Sequence, residues 1–124
     1  MVRHPLSTPY LAGMIDADGC VRVSSGTGTQ YVSITNRFLP ALLDVQEMFG
    51  GNVRIDRNVY RYEAYGANAR EILRQILPHL REKYEQAMLA LKYTEYPARS
   101  AQREIIRTRV ASLKKTCYVS RGSL

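Results

Sequence analysis

The chain has 124 residues, 45% hydrophobic and 23% charged, and its 18 lysines and arginines exceed 11 aspartates and glutamates to leave a net charge of +7. That length supports a single domain over 1–124 with one buried core, and the composition excludes a disordered, collagen-like or mucin-like chain. No apolar run, 87–91 included, approaches the roughly 20 residues that cross a bilayer, and Pro5, Ser7, Thr8 and Pro9 break up what a signal peptide needs as its apolar segment.

Ser7 or Thr8 can cap a first helix, and Pro9 suits its first position, where its missing N–H would be unsatisfied anyway. The helix is expected over 10–18, with Gly19 ending it in the left-handed conformation. From Cys20 the period drops to two, Val21 and Val23 on one face and Arg22 and Ser24 on the other. Gly26, Thr27 and Gly28 turn the chain, and 31–35 resumes the alternation with Val32 and Ile34 apolar and Tyr31 and Ser33 polar, completing a hairpin. A second helix is predicted over 40–49, with Leu42, Leu43, Val45, Met48 and Phe49 apolar and Gly50 and Gly51 as its stop.

A second hairpin follows. Val53 and Ile55 alternate with Asn52, Arg54 and Asp56, then Arg57 and Asn58 turn the chain, and Tyr60, Tyr62 and Ala64 alternate with Arg61 and Glu63. Gly66 and Asn68 lead into a third helix with Ile72, Leu73, Ile76 and Leu77 at helical spacing, interrupted at Pro78. Residues 81–93 and 98–115 are predicted helical with a break at Pro97, and the polar stretch 117–124 is expected to fray.

This order defines an α+β domain, α-β-β-α-β-β-α, in which a twisted antiparallel four-stranded sheet carries helices on one face and leaves the other open. With the apolar residues turned inward, Arg22, Ser24, Tyr31, Ser33, Asn52, Arg54, Asp56, Arg61 and Glu63 share the open face. A two-stranded ribbon fits a DNA major groove, where arginine pairs bidentately with guanine and Ser and Asn bond phosphate or base edges. The positive balance favours such a polyanionic partner, because cations that neutralise phosphates release condensed counterions. The basic run Arg99, Arg103, Arg107, Arg109, Lys114, Lys115 and Arg121 reads either as a phosphate contact or as a solvated helix face. Arg99, Arg103 and Arg107 would share one helical face, with Ile105, Ile106, Val110 and Leu113 elsewhere facing the core. His4 and His79 are isolated and receive no ligand role. Cys20 and Cys117 lie far apart without CxxC or Cys/His spacing, which argues against zinc or a disulfide framework and for an intracellular, reducing compartment, cytoplasm, nucleoid or organelle matrix.

Residues 11–19 read Leu11-Ala12-Gly13-Met14-Ile15-Asp16-Ala17-Asp18-Gly19. Small side chains at Ala12, Gly13 and Ala17 permit close approach of another backbone. Two acids at a helix C-terminal end sit at the unfavourable pole of the macrodipole and require donors or a cation. Oxygen ligands of this kind suit a hard divalent metal, and a solvated helix end with one acid capping a neighbour is the other chemistry the pattern allows.

The nine residues resemble the signature of the LAGLIDADG homing endonucleases, departing from it only at Met14, and the order of elements and the chain length resemble the single-motif members. Residues 32–36 resemble the family's second-strand segment, which ends in Gln or Asn. Residues 77–80, followed by Lys83, Gln86 and Ala87, resemble the segment that supplies an active-site lysine. The resemblance implies a site-specific double-stranded DNA endonuclease, linked to intron mobility, that works as a homodimer on a long pseudo-palindromic target with Mg²⁺ or another divalent cation. It implies metal binding by Asp18 and the Ala17 carbonyl, and catalytic roles for Asp18, Lys83 and Asn36, the lysine neutralising charge at the phosphate and the asparagine orienting water. It places Leu11, Ala12, Gly13 and Asp16 at the dimer interface, with a structural hydrogen-bonding role for Asp16. Read locally, Lys83 is a solvated helix residue and Asn36 a turn or cap. The alternative function is a nucleic-acid-binding protein of the same fold that does not cleave, an RNA maturase or transcription factor, with RNA as a partner only in that case.

Overall fold

The period-two and helical stretches become ten elements in the computed structural model, which describes residues 6–24 and 28–122, with side chains described through 113. In chain order these are α1 (Thr8–Asp18), β1 (Gly19–Val23), β2 (Gln30–Asn36), α2 (Leu39–Phe49), β3 (Asn52–Asp56), β4 (Val59–Tyr65), α3 (Gly66–Ile76), a 3-10 turn (Leu77–His79), α4 (Tyr84–Tyr93) and α5 (Ala101–Gly122). Of the expected first turn, Gly26, Thr27 and Gly28, only Gly28 is among the described residues.

The four strands form one antiparallel sheet in the order β1-β2-β4-β3, so β2 and β4 are central and β1 and β3 are the edges. Its register sets Arg22 opposite Tyr31, Ser33 opposite Glu63, Glu63 opposite Asn52 and Arg54 opposite Arg61, which puts these residues on one face. Ser24 stands one residue beyond β1. The opposite face carries Val21, Val32, Ile34, Tyr62 and Ala64 against Leu11 and Ile15 of α1, Leu42 and Val45 of α2, and Ile72, Leu73 and Ile76 of α3, all buried in one core. Burying such side chains contributes about 1.5–3 kcal/mol each, which is what keeps the helices on that face. Gln30 is also fully buried there. Its Nε2 donates to the Ala90 carbonyl at 2.8 Å and its Oε1 accepts from Arg70 Nη1 at 3.0 Å, tying the start of β2 to α4 and α3. Among the described residues no helix is long and apolar enough to cross a membrane.

The ends of the helices differ from the sequence expectation for local reasons. Ser7 caps α1 as expected, accepting from the Tyr10 N–H at 3.2 Å, and Pro9 falls at the second helical position. Gly19 is extended (φ −103°, ψ 175°), not left-handed, with its N–H on the Ile15 carbonyl. Glycine is required there by space: a Cβ would lie 2.7 Å from the Ile15 carbonyl oxygen and 2.8 Å from Ile15 Cα. Left-handed glycines end α2 instead, at Gly50 and Gly51 (φ 77° and 99°). The helix expected from 81 begins at Tyr84, because the peptide groups of 81–83 form a turn.

The last helix begins at Ala101, where the Ser100 hydroxyl accepts from the Arg103 N–H at 3.3 Å. Arg99 lies outside it with φ 62°, so Arg99, Arg103 and Arg107 do not form one helical face. With no proline or glycine to stop it before Gly122, this helix runs past 115; the side chains of Lys114, Lys115 and Arg121 and the pair 123–124 lie outside the described residues. Ile106 and Val110 are buried against the body of the protein, whereas Ile105 is 67% exposed and takes no part in the core.

Gly19→Ala should lower the unfolding free energy by about 1–3 kcal/mol, the usual cost of forcing an extra carbon into a packed site. A fall in the urea midpoint at unchanged slope checks it; an unchanged midpoint would show that the α1–β1 junction can open to admit a methyl group.

Candidate functional site

The C-terminal end of α1 carries two carboxylates with opposite surroundings. Asp16 is half-buried and turned toward the turn that precedes α4: its Oδ2 accepts from the Arg81 N–H at 2.8 Å and its Oδ1 from the Lys83 N–H at 3.0 Å. The Lys83 ammonium donates to the Asp16 carbonyl at 2.7 Å. An acid at the negative pole of a helix is thereby compensated by two backbone donors, and a last-turn carbonyl that lacks an intrahelical partner receives a cation.

Asp18 is exposed and points elsewhere. Its Oδ2 accepts from Asn36 Nδ2 at 3.2 Å, while Asn36 Oδ1 accepts from the Phe38 N–H at 2.8 Å. The side-chain amide is thus oriented by its own turn, its oxygen used on the backbone and its nitrogen turned to the carboxylate. Asn36 fills the turn role that its local sequence suggests and also reaches Asp18. The fold therefore gathers Asp18, Asn36 and Lys83 around one helix end, Lys83 being anchored two residues before Asp18.

The motif helix divides its residues in a way that corrects the interface expectation. Leu11 and Ala12 are 1% and 0% exposed, because they pack in this chain's own core. Gly13 and Ala17 are exposed, a Cβ at Gly13 would meet nothing within 4 Å, and Tyr10 at 56% exposure completes the same face at helical spacing. The residues open to another surface are therefore Tyr10, Gly13 and Ala17, and Asp16 is occupied internally.

Among the described residues no three His, Cys, Asp or Glu side chains gather as metal ligands. What α1 offers is oxygen alone, one carboxylate and the neighbouring Ala17 carbonyl. That donor set suits a hard divalent cation, which takes oxygen ligands and keeps several waters.

The open sheet face is also more structured than its residue types suggest. Tyr31 and Ser33 point to it but are only 2% and 5% exposed. The Arg22 guanidinium lies 4.1 Å above the Tyr31 ring, the Tyr65 ring stands 4.9 Å away, and the Tyr31 hydroxyl donates to Glu63 Oε2 at 2.6 Å. Tyr31 cannot touch a ligand without these neighbours moving, and Ser33 has little exposed surface, which corrects their expected DNA contacts. Glu63 Oε1 accepts from Arg54 Nε at 2.8 Å, and Arg61 Nη2 pairs with Asp56 Oδ2 at 2.7 Å. The bond from Arg54 holds the Glu63 carboxyl below the usual carboxylate range, and burial followed by donation to Glu63 pushes the Tyr31 phenol up.

Arg22, Asn52 and Arg54 are the exposed members of the expected set within the strands, and Tyr65, half exposed, joins them. Thr35 lines a groove of about 410 Å³ with Asp56, Arg57, Asn58, Val59 and Arg61. Sequence reasoning passed over Tyr65 and Thr35, although extending the period-two rule one step from Glu63 and from Ser33 reaches both.

A helix whose end carries the acids, followed twice by hairpin and helix, is the arrangement of a known nuclease fold. Residues 6–91 match the LAGLIDADG-like domain, and the chain belongs to the LAGLIDADG homing endonuclease family. Its structure is similar to that of the homing endonuclease I-CvuI in complex with the I-CreI target in 2 mM Mg, where the DNA is not cleaved (TM-score 0.72, 22% identity, 86% of this chain and 80% of that one). It is similar to I-CvuI bound to its own target in 2 mM Ca at TM-score 0.71 and 25% identity, with the same coverage. The homing endonuclease I-TnaI matches at TM-score 0.55 and 15% identity over 89% of this chain and 99% of that one. A comparison with curated protein sequences finds no match.

Asp16→Asn replaces one of two carboxylate acceptors by a donor facing an N–H, which should destabilise the fold by about 0.5–1.5 kcal/mol, the net contribution of one hydrogen bond at a half-buried site. Denaturant unfolding at neutral pH measures it, and a midpoint equal to wild type would remove Asp16 as the tie between α1 and α4.

Proposed function

We propose that the chain is a site-specific, divalent-metal-dependent endonuclease for double-stranded DNA that acts as a homodimer. The observation that carries this reading is the exposed Asp18 carboxylate, steadied by Asn36 beside the small, open face of α1. Packing two copies along Tyr10, Gly13 and Ala17 brings two such helix ends together and doubles the oxygen ligands available. The DNA-bound states of the similar I-CvuI structures support the choice of duplex DNA as substrate, with 25% identity to the second of them.

In this reading Asp18 and the Ala17 carbonyl of each copy hold the cation, Mg²⁺ or another hard divalent ion. Bound there, the ion supplies Lewis acidity that makes water a better nucleophile and steadies the leaving oxygen. Asn36 keeps the Asp18 carboxylate turned outward and can orient a water with its remaining N–H. Lys83 gives one of its three ammonium donors to the Asp16 carbonyl and has two left to neutralise charge on a phosphate. Arg22, Asn52, Arg54 and Arg61, with Ser24 at the end of β1, form the surface toward the groove, arginine being suited to guanine.

Asp18→Asn keeps the shape and removes the charge that holds the metal. Cleavage of a selected duplex in Mg²⁺ should be lost, while affinity holds or rises because a carboxylate no longer repels the phosphates. Wild-type cleavage by this variant, with binding intact, would falsify the catalytic role of Asp18; binding without cleavage by the unaltered chain would favour a nucleic-acid-binding protein. Gly13→Leu, by contrast, should leave the folded monomer intact, since its new side chain enters open space, and should separate the copies. Sedimentation at micromolar concentration tests this: dimer for the unaltered chain and monomer for the variant are expected, and an unaltered chain that stays monomeric with and without DNA sinks the homodimer.

A further inference from the structure

The side chains on the open face form a continuous line across all four strands. Arg22 of β1 lies on the Tyr31 ring of β2, the Tyr31 hydroxyl donates to Glu63 of β4, and Arg54 of β3 donates to the same carboxylate. The two ends of the line are arginines on the two edge strands, and both are exposed. The two middle members are recessed: Tyr31 is buried, and the Glu63 side chain is 14% exposed against 54% for Arg54.

We infer that Glu63 is a positioning residue for base reading, which touches no base itself and, through Arg54 and Tyr31, fixes the reach and the spacing of the arginines at the two edges of the sheet. This rests on the proposed DNA-binding function and goes beyond it by assigning the middle of the surface a different role from its edges. Both carboxylate oxygens of Glu63 already have partners, one each, and a carboxylate turned outward would face phosphates and could accept only from an amino group such as that of cytosine. The bond to Arg54 uses Nε, one of five N–H groups, so the fork at the end of the guanidinium keeps its two amino groups for a bidentate contact. A long side chain held in this way loses less conformational freedom when it meets a base. Tyr31 does the same for Arg22, whose guanidinium rests on its ring.

The test is selection of bound duplexes from a randomised library by the full chain, unaltered and as Glu63→Gln, Tyr31→Phe, Arg54→Ala, Arg22→Ala and the double variant Arg54→Ala with Glu63→Gln. Glu63→Gln should relax preference about tenfold, within the span of one good bidentate contact, at the base pairs that Arg54→Ala also relaxes, and the double variant should be no worse than Arg54→Ala alone. Tyr31→Phe, which keeps the ring beneath Arg22 and removes the donor to Glu63, should relax the same positions and serves if Glu63→Gln does not fold. A change at a base pair that Arg54→Ala, Arg22→Ala and the further control Arg61→Ala leave intact would make Glu63 a reader and overturn the inference, as would an unaltered preference in Glu63→Gln or an additive double variant. An unaltered chain that enriches no sequence removes the DNA-reading function, and the inference with it, and is told apart from the other outcomes by that profile alone.

Discussion

The site depends on how two helix ends are joined. The C-terminal end of α1 carries the negative pole of its dipole, and the N-terminal end of α4 carries a positive one with peptide N–H groups that no helical carbonyl can accept. Asp16 and Lys83 exchange across this junction: the carboxylate accepts the Arg81 and Lys83 N–H groups, and the ammonium donates to the Asp16 carbonyl. The carboxylate that would destabilise an isolated α1 is thus compensated by the turn that leads into α4, and the end of α1 receives a cation. With the first acid committed to this joint, the second can stay exposed. Asn36, fixed by its turn to Phe38, then sets the direction of Asp18.

A second constraint acts through β2, which is central and is covered on both faces. On the helix side its Gln30 bonds α4 and α3, and on the open side Tyr31 lies under Arg22 and beside Tyr65. Strands with one free face normally alternate between buried and exposed residues, yet Gln30 to Ile34 are all buried. The outer cover is the Arg22 guanidinium, stacked on the Tyr31 ring, with the Tyr65 ring beside it. The open face therefore has a recessed floor of Tyr31, Ser33 and Glu63 and a rim of exposed arginines, Arg22 and Arg54, that are held against it.

Most of the fold was legible because hydrophobic period changes sharply at Cys20, Asn36, Asn52 and Gly66, and each change coincides with a glycine, a turn residue or a strand end. The open face was legible for the same reason, since period two assigns sides without reference to neighbours. What period cannot give is depth. Tyr31 and Ser33 sit on the expected side but are hidden by residues of other strands, and Leu11 and Ala12 are spent on the core of their own chain. Gly19 looked like a left-handed helix stop, and only the approach of Ile15 shows that it is needed for space. The contact of Lys83 with α1 crosses 67 positions. Its charge-alternating neighbourhood carries no local sign of it, so only the motif resemblance pointed there.

The charge of the chain and the chemistry of its sheet must be separated. A net charge of +7 suggests a strongly positive surface, yet on the sheet Glu63 holds Arg54 and Asp56 holds Arg61. An arginine already neutralised by a carboxylate releases fewer counterions on meeting a phosphate than one facing solvent alone. In the proposed complex the paired arginines therefore add little to salt-dependent attraction. That attraction falls to the exposed Arg22, which no carboxylate among the described residues pairs, and to the exposed turn cations Arg37 and Arg57. The sheet acids thus trade long-range attraction for fixed direction, which is the exchange a surface that discriminates between bases requires.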